Sequence, residues 1–171
     1  MTEGHIRKLD LTSTVLLLLW AGSALAFGAL TAPLLFQMLP RDLAASAAGA
    51  LVLRLDFAAL AAFGLALLLS GGSRWLAEIE DPFPIGPLRL WTATAFMALV
   101  LSGLSAWIIT PRIRDLRAAH QGQVSALATD HPDRKALERN HRLSTQVFLI
   151  RLLLAGGLAW GAGKLPRSKI S

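Results

Sequence analysis

The chain has 171 residues, of which 54% are hydrophobic and 16% charged, with a formal net charge of +6. A soluble domain of this size carries about a quarter charged residues, so this balance and the mean hydropathy of +0.52 point to a membrane protein. The absence of cysteine excludes disulfides, thiolate metal sites and cysteine nucleophiles.

A helix crosses the hydrocarbon core with about 20 mostly apolar residues. After Arg7 and Lys8 no charge occurs from Leu11 to Pro40, and residues 11–36 form the first expected span. Ala24-Leu25-Ala26 resembles a signal-peptide cleavage site, but the apolar run continues past it, so the segment is read as retained. Pro33 and Pro40 are expected to end this helix and to form a short turn. Residues 43–70 make the second span, interrupted by Arg54 and Asp56. Gly71-Gly72 then opens an expected loop through Glu78, Glu80 and Asp81 to Pro82, Pro84 and Pro87. Residues 90–110 are the third span, with Pro111 at its end. Segment 112–142 reads as a hydrophilic loop with seven Lys/Arg, four Asp/Glu and three His. Its first half is compatible with a helix placing Ile113, Leu116 and His120 on one face. Residues 143–163 are the fourth span, containing Arg151, and Ser144 is suited to N-cap it. The apolar runs do not alternate, and Ala and Leu favour helix. The expected fold is an all-α integral membrane protein, one domain over residues 1–171, built as a bundle of four transmembrane helices.

The basic residues flank apolar spans, which is membrane anchoring rather than nucleic-acid binding. Positive-inside counting gives seven Lys/Arg on the side of the termini and eight on the side of the long loop. That near-tie leaves Arg7 and Lys8, before the first span, to favour cytoplasmic termini in a bacterial inner membrane. Trp75, Trp91 and Trp160 fall near one face and Trp107 near the other, as in an aromatic belt; Trp20 lies deeper and reads as packing.

Ionisable residues within a span usually face the bundle interior and find a partner. Asp56 lies 14 residues before Ser70 and Arg151 lies 13 before Lys164. The second and fourth helices run in the same direction, so these side chains sit at one level and can pair. Arg54 is two residues from Asp56 and faces elsewhere, or snorkels towards the long-loop side. Two readings stay open: a structural lock, or surplus positive charge that serves an anion or a transport cycle. The patterns Ala24-x-x-x-Gly28-x-x-x-Ala32, Ala58-x-x-x-Ala62-x-x-x-Ala66 and Gly157-x-x-x-Gly161 suit a tight bundle or a homodimer.

No phosphate-binding loop, dinucleotide fingerprint, zinc-protease motif or nucleophile elbow is present. An enzyme and a cofactor are not expected. His120 and His131 are close enough in sequence to meet in the loop, but solvated histidines are the simpler reading. Met38 and Met97 alone remain after the initiator, too few soft ligands for a copper path.

Trp20-Ala21-Gly22, Ala32-Pro33-Leu34-Leu35-Phe36, Leu39-Pro40, Thr110-Pro111-Arg112-Ile113 with Leu116-Arg117, and His141-Arg142-Leu143-Ser144 occur in that order. This series resembles the transmembrane-protein-205-like family, whose bacterial members form the domain-of-unknown-function family 4149. The family is distantly similar to the copper resistance D membrane proteins. The resemblance implies a small four-helix membrane protein without an established activity; its eukaryotic namesake is associated with resistance to platinum drugs. Pro33 and Pro111 would free backbone carbonyls on the long-loop side, where His141 could bond one of them. Pro33, Phe36, Pro111, Arg112, His141 and Ser144 therefore form either helix-end capping or a polar vestibule leading to Arg54, Asp56 and Arg151. The expected function is transporter-like or channel-like, for an unknown small ion or molecule. The alternatives are a scaffold binding a partner through segment 112–142 and a copper-resistance-like metal passage.

Overall fold

Residues 3–75, 86–162, 164 and 165 are described in the computed structural model of the chain. Glu78, Glu80, Asp81, Pro82, Pro84, Arg167 and Lys169 lie outside the described residues. All regular structure among the described residues is helical: α1 (Glu3–Ala26), α2 (Ala32–Met38), α3 (Arg41–Ala66), α4 (Gly86–Leu104), α5 (Thr110–Ala119) and α6 (Pro132–Ala162). These assemble into four helices long and apolar enough to cross a membrane: Gly4–Met38, Arg41–Trp75, Gly86–Ala119 and Pro132–Ala162.

Pro40 does stand at the break between the first two spans, after Met38 and before Arg41, but Pro33 and Pro111 do not end helices as expected. A π turn over Phe27–Thr31 precedes Pro33, closed by the Ala32 N–H donating to the Phe27 carbonyl, and α2 continues to Met38. A second π turn, Ser105–Ile109, precedes Pro111, with Thr110 N–H on the Ser105 carbonyl, and α5 continues to Ala119. Proline lacks an N–H and its ring crowds the carbonyl four residues back; a wider turn just upstream lets the helix carry on past it. Gly71 and Gly72 likewise lie in a π turn, Leu67–Gly72, rather than opening a loop, and Pro87 stands in the first turn of α4.

Segment 112–142 is correspondingly less of a loop than its charge implies. Its first part is α5, with Ile113, Leu116 and His120 together half-buried, and its last part is the start of α6. Between them the chain reverses through Gln121 (φ 50°) and Gly122 (φ 81°), the Gly122 N–H returning to the Arg117 carbonyl at 2.8 Å. Ser144 stands twelve residues inside α6 and caps nothing. The charge of this segment sits on helices that project from the long-loop face.

The helices pack in the cyclic order α1–α3–α4–α6, each against antiparallel neighbours. The interior is narrow because alanines line it: Ala24, Ala59, Ala62, Ala66, Ala95, Ala98 and Ala155 are buried around Leu17, Trp20, Phe63, Trp91 and Leu158. Large apolar side chains instead face outwards, among them Leu19, Leu30, Leu68, Leu90, Phe96 and Leu153. In lipid that costs nothing, and small residues let backbones approach closely. The small-residue patterns divide accordingly: Ala24, Ala62 and Ala66 are core, whereas Gly28, Ala58 and Gly157 are exposed. Gly161 is a close-approach position, since a Cβ there would lie 3.2 Å from the Trp91 ring, whose Nε1 donates to the Leu158 carbonyl at 3.0 Å.

Opposite the long-loop face, Arg74 is buried and forms a two-pronged ion pair with Asp10. One turn deeper, Ser70 Oγ donates to Ser13 Oγ at 2.8 Å. These contacts tie the start of the first span to the end of the second. Asp10→Ala takes both prongs of this ion pair from a buried guanidinium and should lower unfolding stability by about 3 kcal/mol; tryptophan fluorescence during denaturation in detergent would measure it.

Candidate functional site

Every long helix contributes to one polar cluster inside the bundle. Arg151 of α6 donates through Nη2 to Asp56 Oδ1 of α3 at 2.7 Å, with Asp56 0% and Arg151 1% exposed. The helices α3 and α6 are diagonal in the ring, so this pair crosses the bundle axis. The third span supplies two hydroxyls: Ser105 Oγ and Thr110 Oγ1 donate to Asp56 Oδ2 at 2.8 and 2.9 Å. Ser105 and Thr110 bracket the π turn before Pro111. The first span supplies Trp20, which packs against Phe63 at 5.2 Å between centroids and donates from Nε1 to the Leu55 carbonyl at 2.9 Å. The Arg151 guanidinium carbon lies 5.8 Å from the Trp20 ring centroid, a cation–π contact.

The two charged partners are unequally satisfied. Both Asp56 oxygens accept hydrogen bonds, but Arg151 Nε and Nη1 are buried with no hydrogen-bond partner among the described residues. A guanidinium offers five donors, and leaving buried ones idle costs about 1–3 kcal/mol each. The free edge of Arg151 is therefore suited to an acceptor that enters: water, or an anion.

The second helix continues beyond Ser70 to Trp75, so the spacing from Ser70 does not measure how far the pair lies from the helix end. Eighteen residues separate Asp56 from Arg74, or about 27 Å of helix, against a hydrocarbon core of about 30 Å. Arg151, by contrast, is nine residues from Trp160, or about 14 Å, so the two helices give different distances from the face opposite the long loop. Trp107, 64% exposed within the same π turn as Ser105, faces outwards near the level of the pair. Gly103 leaves room for its ring, since a Cβ there would come within 2.8 Å. Arg54 is exposed on the outside of the bundle at this level, within reach of lipid phosphates by snorkelling.

Beyond the pair, on the long-loop face, a hollow of about 170 Å³ is partly open to its surroundings. Arg41, Arg117, Arg134 and His141 line it together with the acidic Asp42 and Glu138, and Phe36 forms part of its apolar wall. Phe36 and His141, expected in a vestibule, thus meet here. Pro33, Pro111, Arg112 and Ser144 do not line it; Pro33 and Arg112 are exposed and Pro111 and Ser144 half-buried. The His141 ring makes no hydrogen bond to a proline-freed carbonyl among the described residues. His120 and His131 do meet, edge to face at 5.7 Å. However, His120 Nε2 is engaged by Asp133 at 2.8 Å and His131 Nδ1 by the Asp133 N–H at 3.2 Å. Among the described residues no three His, Asp or Glu side chains are grouped to hold a metal.

Several contributors escaped the sequence reading. Ser105 and Thr110 became visible only once Pro111 proved to lie inside a helix. Arg41, Arg117 and Arg134 were read as anchoring charge. The Arg74–Asp10 pair did have a sequence signal, because these are the charges bounding two long charge-free runs on antiparallel neighbours.

Residues 15–121 match the family described as Domain of unknown function (DUF4149), and the chain belongs to that family. No curated protein and no solved structure matches the chain.

Either partner of the buried pair, removed alone, leaves an uncompensated charge. Asp56→Ala and Arg151→Ala should each lower stability in detergent by about 3–5 kcal/mol. Ser105→Ala, which removes a single donor to a carboxylate still held by two others, should cost only about 1 kcal/mol. A Ser105→Ala loss as large as that of Asp56→Ala would contradict this ranking.

Proposed function

We propose that the protein is transporter-like, admitting a small anion from the arginine-lined hollow on the long-loop face towards the free edge of Arg151. The observation carrying this reading is that Arg151 Nε and Nη1 are buried without acceptors among the described residues although both Asp56 oxygens are engaged. A purely structural lock gains nothing from two idle donors, whereas an anion-binding element needs them. Ten residues of α6 separate His141 from Arg151, or about 15 Å, so the hollow and the pair form successive positions along one helix. The hollow carries three arginines against two carboxylates, which favours a negatively charged solute there. A copper passage has less support: Met38 is exposed on α2 and Met97 is exposed on α4, far apart in the bundle. A scaffold acting through segment 112–142 also has less, since much of that segment is helix continuous with the bundle.

The test is flux into proteoliposomes of chloride, nitrate and inorganic phosphate, each measured separately. Arg151→Lys keeps a cation for Asp56 but removes the planar set of spare donors. That variant should remain folded and lose about tenfold or more of the wild-type rate, the loss expected when a charge-assisted hydrogen bond disappears. Wild-type vesicles no faster than protein-free ones for all three anions would count against the reading.

A further inference from the structure

The hollow on the long-loop face has its own chemistry, separate from that of the buried pair. Three guanidinium groups approach it from three different elements: Arg41 at the start of α3, Arg117 in α5 and Arg134 in α6. Their donors are only partly used. Arg134 donates from Nη1 to the Leu127 carbonyl at 2.7 Å and from Nε to Glu138 at 3.4 Å, leaving Nη2. Arg117 Nε is buried with no acceptor, although Asp42 lies close enough for its charge to be felt there. Arg41 is exposed and has no acidic partner among the described residues.

A carboxylate presents only two oxygens, in one plane, to such donors. A phosphate offers more acceptor oxygens, and guanidinium forks match its geometry. Spare donors arriving from three directions therefore favour phosphate. The volume of about 170 Å³ is several times the ~30 Å³ share of a water molecule, ample for such a group.

The surroundings add a second feature. The wall carrying Phe36 is α2, whose Leu34, Phe36 and Met38 are all exposed. Phe36 alone of these lines the hollow; Leu34 and Met38, each two residues away, project from other faces of the helix. A ligand with a phosphate at one end and a hydrocarbon tail at the other would meet both the arginines and Phe36.

We propose that the hollow formed by Arg41, Arg117, Arg134 and His141 is a binding site for a phosphate group, carried by an amphiphile such as a lipid or free in solution. This site does not depend on transport, and its test contains no flux measurement.

The full-length protein in uncharged detergent would be titrated with dihexanoyl phosphatidic acid, with inorganic phosphate, and with dihexanoyl glycerol as the phosphate-free control. Wild type should bind the phosphatidic acid and not the glycerol. Arg117→Gln and Arg41→Gln should each weaken binding about tenfold or more, as expected for losing a charge-assisted contact. Arg54→Gln, which alters an exposed cation elsewhere on α3, should leave it unchanged. Competition by inorganic phosphate at comparable concentration would identify the phosphate group alone as ligand; retention of the phosphatidic acid against it would identify the amphiphile. Equal binding of the acid and the glycerol would overturn the proposal, as would wild-type affinity in the Gln variants. Should Arg117→Gln fail to fold, Arg41→Gln decides, because that side chain is exposed.

Discussion

The Asp56–Arg151 pair is the constraint around which this bundle is arranged. A carboxylate and a guanidinium taken out of water need each other and further hydrogen bonds to offset the loss of hydration. Here the further bonds come from different helices: two hydroxyls from the third span, with the Trp20 face from the first. The pair spans a diagonal, so α3 and α6 must both face the axis at that level, and the helices between them are fixed by what they contribute. The exact complement is not reached, since one edge of Arg151 stays idle.

The rest of the architecture follows from keeping the axis narrow at this level while letting the helices run on. Alanines hold the backbones close, and the large side chains are turned towards lipid, where they compete with nothing. The two proline-linked π turns extend the first and third helices beyond the hydrocarbon. The extension brings Arg117 into reach of Arg41, and the start of α6 closes the hollow with Arg134 and His141. At the other end, Arg74 and Asp10 join the first two helices without contribution from the axis. The molecule is therefore asymmetric: one end is sealed by a paired charge, the other is open and rich in unpaired donors.

Much of the fold was legible from the sequence, because charge-free runs of about 20 residues have few meanings. The pairing of Asp56 with Arg151 was legible too, since counting along two parallel helices places both at one level. What counting could not supply was depth. The second helix does not stop at Gly71-Gly72, so a count from Ser70 misjudges how far the pair lies from the helix end. Pro33 and Pro111 misled for a related reason. Proline usually ends a helix in water, but here a wider turn upstream accommodates it, and the Ser144 cap was lost when α6 began earlier. Of the residues expected in a vestibule, Phe36 and His141 lie at the hollow, beside arginines that, read singly, looked like ordinary flanking charge.

The separation of the pair along the chain, 95 residues, has a bearing on how the protein is made. At a synthesis rate of about 5–20 residues per second, Asp56 is produced roughly 5–20 s before the residue that neutralises it. During that interval the second helix carries an acidic group with no permanent counter-charge, held only by what the translocation machinery, water at the bilayer edge or Ser105 and Thr110 provide. Arrival of α6 ends the exposure, so the last helix to emerge is also the one that commits the earlier three. A ribosome that stalls before α6 would leave a membrane-embedded acid on display, a mark by which quality control can tell an unfinished copy from a finished one.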